Sequence, residues 1–178
     1  MDKHDLSLTV EDVLETISDP VVRDMTGSIA CLFSENGLTV KVKRGYGDVY
    51  RLFCHIRKSR ETAIVNPVGK NFGPFEVQVR VENPQTLQQL DLLSDRIRKG
   101  ILGAKDCKAP YCCNCGSAYR FTHQGVAYRK CHMLCDNFTL RGLQPEDRES
   151  LLLLMQSEIE YARRPRKKPG VPDDGGCP

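Results

Sequence analysis

The apolar positions of the chain change period several times, and each change marks a predicted element. Thr9 followed by Asp12 is an S/T-x-x-D capping signal, which predicts a short helix from Val10 to Ile17. Asp19-Pro20 supplies an N-cap and a first-turn proline. Val21, Val22, Met25, Ile29, Leu32 and Phe33 then recur at helical spacing, and Asn36-Gly37 is a natural stop. Cys31 rides near that apolar face and is expected to be a small core residue. From Leu38 the period falls to two: Leu38, Val40 and Val42 alternate with Thr39, Lys41 and Lys43, the pattern of a half-buried strand. Val49 to Ile56 predicts a second strand and Thr62 to Val65 a short third. Phe75, Val77, Val79 and Val81, alternating with Glu76, Gln78, Arg80 and Glu82, predict a fourth. Short turns between these runs favour an antiparallel meander.

Asn83-Pro84 opens a helical region through Leu87, Leu90, Leu93, Ile97 and Ile101, with a break near Ser94 and an end by Gly103. Residues 117–130 predict a hairpin, with Tyr119 and Phe121 on one arm, His123-Gln-Gly125 at the turn, and Val126 and Tyr128 on the return. Gln144-Pro145-Glu146-Asp147 starts a final helix carrying Leu151, Leu152, Leu154, Met155 and Ile159. The tail from Pro165 is rich in Pro, Gly and basic residues and predicts no packed structure. The expected fold class is α+β: a four-stranded, mainly antiparallel sheet with packed helices over residues 1–104, a cysteine-rich module over 105–141, a helix over 142–163 packing on the domain, and a tail over 164–178.

Cysteine usage changes the picture from fold to chemistry. Of nine cysteines in 178 residues, six fall between Cys107 and Cys135. The N-terminal residues have no apolar stretch behind them and no run approaches the length of a membrane span, so the expectation is a cytoplasmic protein with reduced thiols and no membrane partner. There, clustered cysteines hold metal or do redox chemistry more often than they form permanent disulfides.

The cluster has metal-ligand spacing. Cys112-x2-Cys115, with Gly116 behind it, has the form of a tight turn that aims two thiolates at one point, and Gly116 is free to take a positive φ. Cys131-x3-Cys135 follows beyond the hairpin. A hairpin between the two pairs lets four sulfurs close a tetrahedral site, with Zn–S of about 2.3 Å. The arrangement from Cys112 to Cys135 resembles the zinc-ribbon class of small metal modules. It departs from the simplest ribbon in the wider final spacing and in the surplus Cys107 and Cys113, and Cys107, Cys113, His123 or His132 is able to replace one of the four ligands. A closed four-cysteine site leaves no position for water, so the expected cofactor is a structural Zn2+, with an iron–sulfur cluster as the lesser alternative. In a segment with few apolar residues, such a metal takes the place of a core.

Other candidate chemistry is thin. Cys54-His55 are neighbours on a predicted strand and therefore point to opposite faces, which predicts a buried Cys54 and a solvent-facing His55. Gly45-x-Gly47 and Gly69 to Gly73 lack the remainder of a nucleotide or phosphate loop, the Pro110-x-Cys112-x2-Cys115 run lacks the upstream H-x-E of a zinc deaminase, and no H-E-x-x-H or G-x-S-x-G occurs.

Charge is uneven beneath the net +3: residues 1–104 balance to zero, residues 105–141 carry +4, residues 142–162 carry −4, and the tail is basic. The hairpin interleaves Tyr119, Phe121 and Tyr128 with Arg120, Arg129 and Lys130, a mixture suited to phosphate contacts and stacking, and equally to aromatics packed beneath a metal with cations in water. The leading expectation is a regulatory or adaptor protein, not an enzyme, contacting nucleic acid or an acidic protein surface through Arg120, Arg129 and Lys130. The alternatives are an enzyme or small-molecule sensor with its pocket in the N-terminal domain, near Tyr46, Tyr50 and the Gly69 to Phe75 loop, or a thiol-redox or iron–sulfur protein using Cys112, Cys113 and Cys115.

Overall fold

A computed structural model describes residues 8–44, 49–57, 60–67, 75–107, 119–130 and 138–164. In these, five α-helices and seven strands build a two-layer α+β arrangement. Helix α1 (Val10–Thr16) begins at the expected capping box: Thr9 Oγ1 accepts from the Asp12 amide and the Asp12 carboxylate accepts from the Thr9 amide. Helix α2 (Pro20–Glu35) is capped by the Asp19 carboxylate. It ends in a Schellman turn in which Gly37, at φ 68°, lets the Leu38 amide reach the Phe33 carbonyl at 2.9 Å.

Strands β1 (Thr39–Arg44), β2 (Tyr50–Arg57), β3 (Arg60–Asn66) and β4 (Glu76–Val79) form the antiparallel meander that the period-two runs predict. The sheet has five strands, not four. Strand β7 (Phe138–Arg141) returns from beyond the cysteine cluster to pair antiparallel with β4, in the order β1-β2-β3-β4-β7. Its four residues alternate Phe138 and Leu140 against Thr139 and Arg141, too short a run to stand out from sequence. Leu52, Cys54, Ala63, Val65, Val77, Val79, Phe138 and Leu140 share one face of the sheet and form a single buried cluster with Met25, Ile29, Phe33, Ile97, Leu151 and Met155 from the helices.

The helical region after Asn83 breaks where expected. Helix α3 (Pro84–Gln88) passes through a 3-10 turn, Leu90–Leu92, to α4 (Asp95–Leu102), which Ser94 caps. Gly100 sits so close to β7 that a Cβ there would lie 2.8 Å from Leu140 Cδ2. Helix α5 (Arg148–Arg163) is fastened at both ends. At its start, buried Asp147 accepts from Ser94 Oγ at 2.6 Å, Arg96 Nε at 2.8 Å and the Gln144 amide at 2.9 Å. Near its end, buried Glu158 accepts from the Glu82 and Asn83 amides and from the Thr86 hydroxyl, closing the N-terminus of α3.

Two cysteines depart from expectation. Cys31 is exposed and donates to Glu35 Oε1 at 3.2 Å, because it lies one position off the buried stripe of Ile29, Ala30 and Phe33. Cys54 is fully buried as predicted, but His55 on the opposite face is only 8% exposed.

Candidate functional site

The hairpin between the cysteine pairs is formed by β5 (Tyr119–His123) and β6 (Val126–Lys130), with Tyr119↔Lys130, Arg120↔Arg129 and Phe121↔Tyr128 as direct partners. Its two-residue turn is Gln124-Gly125, at φ 48° and 77°. Two positive φ values in succession give the twist that matches paired strands. Alternation sorts the side chains by face: Tyr119, Phe121 and His123 are buried, while Arg120, Thr122, Ala127 and Arg129 are exposed.

The buried face attaches the hairpin to the domain. The Tyr119 ring lies 4.8 Å from Phe138, and its hydroxyl accepts from the Val81 amide at 3.2 Å. Phe121 stacks on Tyr128 at 5.2 Å. At the turn end, His123 Nε2 is 3.7 Å from Asp91 Oδ1. His123 is four residues along β5 from Tyr119, about 13 Å at strand rise, which separates it from the end where the cysteine segments leave.

That open end gathers the chain. The Cys107 amide donates to the Arg129 carbonyl at 2.8 Å, and Asp106 bridges to Lys130. Tyr119 pairs with Lys130 and touches Phe138. Residues 107, 119, 130 and 138, the described ends of segments 108–118 and 131–137, thus meet around one strand end. Cys112, Cys113, Cys115, Cys131, His132 and Cys135 lie outside the described residues. Among the described residues no group of three or more His, Cys, Asp or Glu side chains is placed to hold a metal.

The three cations singled out from the sequence separate. Arg120 and Arg129 are exposed on the free face of the hairpin. Lys130 is 4% exposed, with Nζ 2.8 Å from Asp106 Oδ1 and 5.3 Å from the Tyr128 ring centroid, so its charge is spent inside the fold. Its parity in the strand carries the signal: it shares the face of Tyr128, not that of Arg129.

Of the pocket expected in the N-terminal domain, Tyr46 and residues 69–74 lie outside the described residues, Tyr50 packs against the core and Phe75 is buried. A small cleft is instead lined by Ile56, Glu61, Thr62, Arg80, Glu82, Glu158 and Ala162. Burial pushes the Glu158 carboxyl above its usual range despite its hydrogen bonds, and both of its oxygens are occupied by the cap of α3. Burial likewise pushes the Cys54 thiol up to about 12, which removes it as a nucleophile near neutral pH. Sequence reasoning missed Asp147 and Glu158 as structural centres, since each is an acidic residue in an acidic helical stretch until its partners come from distant parts of the chain.

No protein-family model, curated protein or solved structure matches this chain. No described helix is long and apolar enough to cross a membrane.

Proposed function

We propose that the chain is a zinc-stapled binding protein. In this reading Cys112, Cys115, Cys131 and Cys135 hold one structural Zn2+ at the open end of the hairpin, and the exposed Arg120 and Arg129 contact an anionic partner, nucleic acid or an acidic protein surface. The observation that supports it is the meeting of the described ends of both cysteine-bearing segments around Tyr119, Lys130 and Phe138. Two cysteine-bearing segments whose flanking residues are held beside one another start with part of the loop-closure cost of a shared site already met. The ion's chemistry would be to draw four thiolates into a closed tetrahedron and hold the segments together. This chain's own residues do the rest: Tyr119 ties the hairpin to the sheet through Val81, the Asp106–Lys130 pair fixes its base, and the free face is left to Arg120 and Arg129.

The test is elemental analysis and the visible spectrum of protein purified under reducing conditions, with Cys115→Ser and Cys131→Ser beside the parent. One zinc per chain, lost in both variants, is the expected result. A brown iron-containing protein, or stoichiometric protein with no metal, would overturn the structural-zinc assignment. For the anionic partner, a salt titration with RNA, duplex DNA and an acidic polypeptide should show binding at low ionic strength that Arg120→Gln/Arg129→Gln weakens.

A further inference from the structure

The helices packed on the large sheet contribute to one buried cluster on one face, and the opposite face follows different rules. Read across the strands in register, it begins with Lys41, Phe53, Ile64, Gln78 and Thr139, one residue from each of β1, β2, β3, β4 and β7. At the β1–β2 side Lys41 and Lys43 are exposed, and Arg51 and Phe53 are half-buried. Lys43 faces Arg51 directly in the register, and its Nζ lies 4.4 Å from the centroid of the Phe53 ring. The outer face of that ring is therefore reached by a solvent-borne cation. Among the described residues no carboxylate pairs with Lys41, Lys43 or Arg51. Arg51 Nε and both ring nitrogens of His55, which lies two residues from Phe53 on the same face, are buried without a hydrogen-bond partner.

Lysines on an edge strand have an ordinary use, since they deter pairing with another chain. That use does not call for Arg51 on β2, an interior strand, directly opposite Lys43, where like charges cost stability. It does not explain the unspent donor on Arg51 either. His55, Asn66 and Glu76 on this face are buried, so the part of it exposed around Phe53 is the β1–β2 corner. Three cations around one half-exposed aromatic ring at that corner are instead the ingredients of a single-strand platform: phosphates meet the cations while a base stacks on the ring. Lys41 and Lys43 are two residues apart on a strand, about 7 Å, a spacing on the scale of one extended nucleotide step. An acidic polypeptide would use the charges but gain nothing from the ring.

We propose that single-stranded nucleic acid binds at the β1–β2 corner of the outer face of the sheet, with Lys41, Lys43 and Arg51 on its phosphates and Phe53 stacking a base. This goes beyond the zinc-stapled hairpin, uses none of its residues, and fails or stands separately from it.

The experiment is fluorescence anisotropy of a short labelled oligothymidine with the full chain over a salt series, with metal content measured on the same preparation. Lys41→Gln/Lys43→Gln/Arg51→Gln should weaken binding at least tenfold at low salt and flatten the log–log salt slope by about 2. Phe53→Ala should weaken it roughly tenfold, consistent with the loss of one stacked base. Because Phe53 is half-buried, photo-crosslinking of a halogenated oligothymidine to the unaltered protein gives an independent readout, and the adduct should map to the peptide containing Phe53. Unchanged affinity in the triple variant overturns the proposal. So do loss of binding through Arg120→Gln/Arg129→Gln alone, crosslinks confined to the hairpin, or tighter binding of duplex DNA or an acidic polypeptide.

Discussion

Arg120 and Arg129 are direct cross-strand partners on the exposed face of the hairpin, two guanidinium-bearing residues side by side. Like charges placed opposite one another on a strand pair are destabilising, and a two-stranded hairpin has little packing to offset them. Arg120→Gln should therefore raise the stability of the protein by roughly 0.2 to 1 kcal/mol, while weakening any anionic partner of the hairpin. A thermal melt and a binding titration on one preparation read both; a variant less stable than the parent would show that the pair is not repulsive in place.

Tyr119 joins the hairpin to the domain through its hydroxyl, which accepts from the buried Val81 amide. Tyr119→Phe keeps the ring against Phe138 and removes that acceptor. The expected loss is about 1 to 3 kcal/mol, the range for leaving a buried donor unmet. Faster hydrogen exchange at Val81 and along β5 and β6, with the amides of β2 and β3 unchanged, would identify the loss as local.

Glu158 carries two amides and a hydroxyl on one carboxylate. Glu158→Gln retains an oxygen for the amides and should fall within about 1 kcal/mol of the parent near neutral pH, whereas Glu158→Ala leaves buried donors orphaned and should cost about 3 kcal/mol. Since burial raises this carboxyl above its ordinary value of 4.5, its contribution is fully present below that pH and is lost as pH rises through the folded value. Chemical denaturation between pH 4 and pH 7 should show the parent losing more stability with rising pH than Glu158→Gln.

Asp147 has the opposite sign. Burial works to raise it, but the hydrogen bonds from Ser94, the Gln144 amide and Arg96 together outweigh burial and hold it below its ordinary value of 3.8. Its contribution is present above that pH and is lost as pH falls through the folded value. Asp147→Asn should be less stable than the parent near neutral pH and should show a flatter acid limb. An acid limb as steep as the parent's would rule Asp147 out as a source of acid lability.

Gly100 is a helical glycine where alanine would ordinarily gain about 1 kcal/mol in propensity. Its added methyl would meet the end of the buried Leu140 side chain at 2.8 Å, which must then shift within the core. Overpacking of this kind costs about 1 to 3 kcal/mol, so Gly100→Ala should be net destabilising by about 1 kcal/mol. Pairing it with Leu140→Ala should recover part of the loss, a coupling that a double-mutant cycle measures.

Local signals were legible because they act over a few residues. The Thr9–Asp12 box, the Asp19-Pro20 start of α2, the Ser94 break and the period-two strands each depend on neighbours along the chain, and each is found within a residue or two of its expected place. What was misread depends on distant contacts. His55 follows the strand's alternation, and nothing in its neighbours tells that its outward face is closed. Lys130 looks like one more hairpin cation until Asp106 and Tyr128 enclose it. Strand β7 is too short to announce itself and earns its place only by pairing with β4.

By itself the sequence determined the α+β class, most element boundaries, the hairpin and the spacing of the cysteine pairs on either side of it, because capping, alternation and spacing are properties of contiguous residues. The tertiary structure alone decided that β7 closes the sheet as a fifth strand. It also decided that Asp147 and Glu158 fasten α5 at its two ends, and that the stretches flanking the cysteines meet at Tyr119 and Lys130. Those outcomes rest on partners brought together from separate elements, up to 76 residues apart, whose encounter is set by which surfaces bury together and is written in no local pattern.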